Sequence, residues 1–155
     1  MDVSLINPFL VGTVDVLKTM CFVTPEKGKP FLRKPNEAAS GSITGIMGIV
    51  GKLTGTIAVS FEEKVALDVV SKFLGEIQSE INEDVVDAVG ELTNMISGAA
   101  KKMFSDQGKS FKIAIPTVVS GSPHQIHHIK DIACVVLPFV LPSGKFFVEA
   151  SIKQE

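Results

Sequence analysis

Apolar positions along this chain recur with two periods, and each change of period marks an element. After Asn7-Pro8, the residues Phe9, Leu10, Thr13, Val14, Leu17 and Met20 follow helical spacing. Asn suits an N-cap and Pro the first helical position, so a helix is expected to start there. Residues 25–37 are rich in Pro, Gly and Lys around Phe31-Leu32 and predict a loop with a short edge strand. The β-like runs 43–50 and 56–61 are joined by Gly51-Lys52-Leu53-Thr54-Gly55, which predicts a hairpin. Phe61-Glu62-Glu63 opens a helix reaching Leu74, with Val65, Val69, Val70, Phe73 and Leu74 on its apolar side. After a polar break at 78–83 comes a longer helix, 84–104, ended by Gln107-Gly108. Strands are expected at 111–120, 131–141 and 145–152, the last two turned by Pro142-Ser143-Gly144.

The expected order is α-β-β-β-α-α-β-β-β. It predicts an α+β fold, a six-stranded and largely antiparallel sheet with helices packed on one face. No linker or low-complexity tract interrupts residues 1–155, so one domain is expected.

The helix 84–104 carries the most information. At about 100° per residue, Val85, Val89, Leu92, Ile96, Ala99, Ala100 and Met103 form one stripe, the side expected to bury. The other side carries Asp87, Glu91, Asn94 and Lys101, with Gly90 one turn before Asn94 and Gly98 one turn after. A mid-helix Gly costs about 1 kcal/mol relative to Ala, and Asn is a poor helix former. A carboxylate and a carboxamide three residues apart project as a pair. The neighbouring glycines leave room for a second surface to close on that pair. Two plainer readings stand beside this one: small residues four apart where helices pack closely, and an ordinary solvated helix face.

Composition narrows the alternatives. Apolar residues make up 45% and charged residues 21%, which is globular. A net charge of −2 with neither Trp nor Tyr disfavours nucleic-acid binding. No basic leader precedes an apolar segment, and the longest apolar run, 132–141, is broken by Pro138 at about half a bilayer span. The chain is therefore expected to be cytoplasmic, with no membrane association. Cys21 and Cys134 have apolar sequence neighbours and no metal-ligand spacing, so buried reduced thiols are expected.

The other candidate chemistries fail on spacing. The glycines of 41–55 do not form a phosphate loop: Ile46 stands at the required Gly position and Leu53 where a hydroxyl is needed. His124, His127 and His128 follow Ser120-Gly121-Ser122-Pro123 in a segment expected to be a loop, without the Glu of a metalloprotease arrangement. Neither cysteine has a His beside it in sequence.

Asp87-x-x-x-Glu91-x-x-Asn94 on an amphipathic helix resembles the motif of the CheC/CheX/FliY family of chemotaxis phosphatases. Ile6-Asn7-Pro8-Phe9, and the passage from Gly51-Lys52-Leu53-Thr54-Gly55 through Val59-Ser60-Phe61 into Val65-Ala66-Leu67, are similar to the CheX branch. The single copy of the motif also resembles that branch, CheC proteins carrying two. The family pattern places a Pro about 23 residues after the Asn; here Pro116 falls 22 after Asn94. The resemblance implies a phosphatase acting on a phosphorylated CheY-type response regulator. Asn94 would orient the attacking water and Glu91 would pair with the regulator's active-site lysine. Asp87, Gly90, Gly98 and Lys101 would serve docking, the glycines as clearance. It further implies no cofactor of the chain's own, Mg²⁺ supplied by the regulator, no covalent enzyme intermediate, and a homodimer. Two rival functions remain at this stage: a non-catalytic interaction module of the same fold, and a small-ligand domain using the glycine-rich hairpin.

Overall fold

The structure, a computed structural model, describes residues 3–33, 41–121 and 132–154. Its frame is the central hairpin. Strands β3 (Ile43–Gly51) and β4 (Leu53–Phe61) pair antiparallel from Ile43↔Phe61 to Ile49↔Gly55. Beyond Ile49↔Gly55 the two strands part, Val50 and Gly51 pairing with Lys112 and Phe111 and Leu53 and Thr54 with Gln154 and Lys153, so the five-residue link is 50–54, one residue earlier than the expected 51–55. The Lys52 amide leaves the ladder and donates to Ser110 O at 3.0 Å. Strand β8 (Gly144–Gln154) runs along the whole of β4, and β7 (Val135–Leu141) along β8. β7 begins later than the expected 131. Pairing of Leu141 with Gly144 leaves Pro142-Ser143 as the turn.

Six strand positions result, as expected, but both outer positions are split. Strands β1 (Glu26–Lys27) and β2 (Phe31–Leu32) both pair with β7; β5 (Phe111–Ile113) and β6 (Thr117–Ser120) both pair with β3. β5 aligns Ile113 with Ile49, whereas β6 aligns Thr117 with Ile46. Over that interval the edge strand holds one residue more than β3, which is a β-bulge. The other edge repeats the device between Lys27↔Phe139 and Phe31↔Val136. Pro30 and Pro116 sit in the two bulges, where a missing N–H breaks no ladder bond.

The register sorts the faces. Ile43, Ile57, Val59, Phe61, Leu137, Phe139, Phe146 and Val148 share one side and are fully buried, each worth about 1.5–3 kcal/mol. On that side pack the helices α1 (Asn7–Cys21), α2 (Glu63–Leu74) and α3 (Glu83–Asp106). The opposite side is buried too at Thr44, Ser60, Glu149 and Ser151. There the polar groups are paired: Thr44 Oγ1 lies 2.7 Å from Ser60 Oγ, and Arg33 Nη2 is 2.6 Å from Glu149 Oε2. An unpaired carboxylate at that depth would cost several kcal/mol.

Helix α1 departs from expectation at its start. Its cap is Ile6, without a side-chain bond, and Asn7 lies inside the first turn. A 3₁₀ turn at Val3–Leu5 brings the chain in already helical at Ile6, so Asn7 never takes the extended conformation of an N-cap. Helix α3 is capped by Asn82, whose Oδ1 accepts from Val85 N at 2.9 Å, with Glu83 and Asp84 favourably placed in its first turn. It ends as expected at Gln107, followed by Gly108 at φ +75°.

The buried arc of α3 is wider than one stripe. Ala88, Gly90, Thr93, Ser97 and Phe104 are buried in addition, while Ala99 and Met103 are half-buried. Two surfaces close on the helix at once. The sheet lies beneath it, and α1 crosses so tightly that a Cβ on Gly12 would stand 3.2 Å from Ala99 Cβ. Phe104 sits between Phe9 of α1 and Phe111 of β5, ring centroids 5.6 and 5.8 Å away, so the last turns of α3 are clamped. Among the described residues no helix is long and apolar enough to cross a membrane.

Candidate active site

Asp87, Glu91 and Asn94 stand exposed along the outer face of α3, as the helical period places them. They crown a ridge with a groove on each side. One groove, of about 530 Å³, lies between α3 and the bulged edge strand. Its helix wall is Val86, Asp87, Gly90, Glu91 and Asn94; its strand wall is Ile113, Ala114, Ile115, Pro116 and Val118. The other, of about 500 Å³, lies between α3 and the end of α2, against Phe73, Leu74 and Glu76. Asp87 and Glu91 border both grooves, whereas Asn94 borders only the first.

The two glycines play different parts. Gly90 is buried, and a Cβ on it would meet Val118 Cγ2 at 3.3 Å and Pro116 Cγ at 3.9 Å. The clearance at Gly90 is thus taken up by the chain's own edge strand, which approaches α3 closely there. Gly98 is different: nothing stands within 4 Å of where its Cβ would be. Close helix packing does not account for Gly98. Gly98→Ala should therefore raise stability by about 0.5–1 kcal/mol through helix propensity. If Gly98 provides room for a partner, the same variant should bind that partner more weakly. Chemical denaturation and a binding titration on one preparation check both. Lys101 is half-exposed, two turns beyond Asn94, and borders neither groove.

What sequence reasoning missed is the strand wall. Ile113 to Val118 reach the site because the bulge re-aims the edge strand, and Pro116 was the one local sign of it. Pro116, at its spacing of 22 residues from Asn94, comes beside Gly90.

The cysteines supply no nucleophile here. Burial pushes the Cys21 thiol up to about 11. Burial, with the Glu149 carboxylate beside it, pushes Cys134 up to about 12. Both are then thiols at neutral pH. Cys134 is only partly buried, and its Sγ lies 3.6 Å from Glu149 Oε1, so its surroundings are not the apolar ones expected. His124, His127 and His128 lie outside the described residues.

Comparison with known proteins places this geometry. Residues 43–140, which include all of α3 and both walls of the larger groove, match the family described as Chemotaxis phosphatase CheX. The chain belongs to the CheX family. A CheX relative from Thermotoga maritima, named CheY-P phosphatase CheX, is 31% identical over 122 residues, covering 78% of each chain. A crystal structure of a CheC-like superfamily protein from Shewanella sp. PV-4 is 42% identical, with a TM-score of 0.92 and 99% of each chain covered. The CheX of a Borrelia burgdorferi CheX–CheY–BeF₃–Mg²⁺ complex is 28% identical, with a TM-score of 0.82, covering 96% of this chain and 97% of that one.

Proposed function

We propose that this CheX-family chain hydrolyses the aspartyl phosphate of a CheY-type response regulator, acting in the cytoplasm. The observation that carries the reading is the joint exposure of Glu91 and Asn94 on one ridge of α3, three residues apart beside an open groove. The names of the Thermotoga and Borrelia relatives supply the substrate class.

Phosphoryl transfer to water asks mainly for position and charge stabilisation. In this reading the regulator brings the phosphoaspartate, its Mg²⁺ and a lysine. This chain adds the Asn94 carboxamide, which accepts from the attacking water and donates toward the phosphoryl oxygens. Water attacks phosphorus, and the regulator's aspartate leaves as a carboxylate. No bond forms to this chain. Glu91 pairs with the regulator's lysine and sets the angle of docking. A carboxylate in place of Asn94 would oppose the phosphoryl charge, so the amide is the suitable group. Asp87, Gly98 and Lys101 are assigned to docking, which the open space over Gly98 supports most directly, whereas Gly90 admits the chain's own Val118 and Pro116.

The test is phosphate release from a Mg²⁺-loaded, phosphorylated CheY-type regulator, with and without catalytic amounts of this protein. Acceleration supports the assignment; binding without acceleration replaces it with a non-catalytic interaction module. Glu91→Ala should raise KM about tenfold, with a smaller change in kcat, because it removes a docking contact and leaves the water-orienting group in place. A homodimer completes the reading, supported by the outward-facing edges of the sheet; light scattering in solution reports the mass.

A further inference from the structure

The wall of the larger groove opposite Glu91 and Asn94 is hydrocarbon throughout: Ile113, Ala114, Ile115, Pro116 and Val118. Its outermost member, Ile115, is 89% exposed. Single exposed apolar residues are ordinary on protein surfaces, but this one has a structural origin and a particular address. Up to Ile113, odd-numbered residues of the edge strand face the helices; from Val118, even-numbered ones do. The extra residue of the bulge makes that switch between them. It turns Val118 down onto Gly90 and leaves Ile115 standing at the rim. A regular strand in its place would offer no such projection. Bulges often re-aim side chains beside active sites.

We propose that Ile115 is an apolar footing on which the phosphorylated regulator seats, and that it fixes affinity for the regulator and not the rate of the chemical step. The proposal rests on the regulator being the partner. The groove identifies the chemistry of what fills it: one wall carries Asp87, Glu91 and Asn94, the other is aliphatic. A surface complementary to both presents a cationic side chain flanked by apolar residues. The regulator lysine assigned to Glu91 meets the first requirement, and an apolar patch on the same regulator is what Ile115 would seat. Ile115 borders the same groove as the proposed catalytic amide, so an occupant reaching Asn94 covers it.

Ile115→Ser is the direct test, with Val50→Ser as control. Val50 is a branched apolar residue 66% exposed at the far end of β3, bordering neither groove. Two readouts are needed: steady-state phosphate release as regulator concentration varies, and calorimetric binding of the regulator loaded with beryllofluoride and Mg²⁺. Ile115→Ser should raise both KM and Kd about tenfold, with kcat and the thermal unfolding midpoint unchanged, while Val50→Ser changes nothing. Unchanged KM and Kd in Ile115→Ser, with the parent still active, overturns the footing and leaves the phosphatase reading intact. A parent that binds without accelerating, and whose binding Ile115→Ser weakens, upholds the footing and refutes the phosphatase. A fall in kcat with KM and Kd unchanged also overturns the proposal, because it places Ile115 in the chemical step.

Discussion

Asn94→Ala should abolish acceleration of regulator dephosphorylation, lowering kcat at least about 100-fold, while leaving the fold intact. The magnitude follows from what one well-placed hydrogen-bonding group is worth at a transition state, about 10²–10³ in rate. The intact fold follows from position. Asn94 is exposed on the outer face of α3, and its neighbours Thr93 and Ile96 carry the packing. Ala is also the better helix former, so the variant should be slightly more stable. Single-turnover phosphate release, with circular dichroism on the same sample, measures both effects. A variant that retains parental kcat would refute the assignment of Asn94, whatever happens to KM.

A large expected stability effect lies directly beneath the candidate site. Gly45 of β3 faces Thr93 of α3, and a Cβ on Gly45 would fall on Thr93 Oγ1 and lie 2.9 Å from Thr93 Cβ. Thr93 is fully buried, and its hydroxyl donates to Val89 O at 2.7 Å, so it has little freedom to move aside. Gly45→Ala should therefore cost about 3 kcal/mol by overpacking, and lower Tm by about 6–12 °C. Because Thr93 adjoins Asn94, the same displacement should lift the amide proposed as catalytic and reduce kcat. Adding Thr93→Ala removes the hydroxyl that clashes worst and should recover part of the loss. Scanning calorimetry on the single and double variants decides it: an unchanged Tm in Gly45→Ala shows that helix and sheet do not meet at Gly45 as described.

The ridge was legible in the sequence because helical geometry is local. Asp87, Glu91 and Asn94 share a face through a fixed rotation per residue, and no distant contact is needed to know it. The six strand positions and the hairpins were legible for a similar reason, since two-residue alternation and turn residues are also local signals, whereas the splitting of both outer positions was not. The misreadings have equally physical origins. Asn7 looked like a cap, but the preceding 3₁₀ turn had already started the helix. Gly51 to Gly55 looked like the hairpin's link, which lies one residue earlier at 50–54, its flanking residues pairing with strands outside the hairpin. The buried arc of α3 was drawn too narrow because the crossing of α1 is invisible to periodicity.

By itself, then, the sequence determined the three helices and six strand positions, their order, the α+β class and the paired exposure of Glu91 and Asn94. All of these follow from short-range backbone geometry and from which side chains avoid water. Only the tertiary structure decided what faces that pair. The groove exists because one extra residue shifts the edge strand's register against β3, so that Val118 turns inward and Ile115 outward. A register is a relation between strands some 70 residues apart in sequence, and no local pattern encodes it.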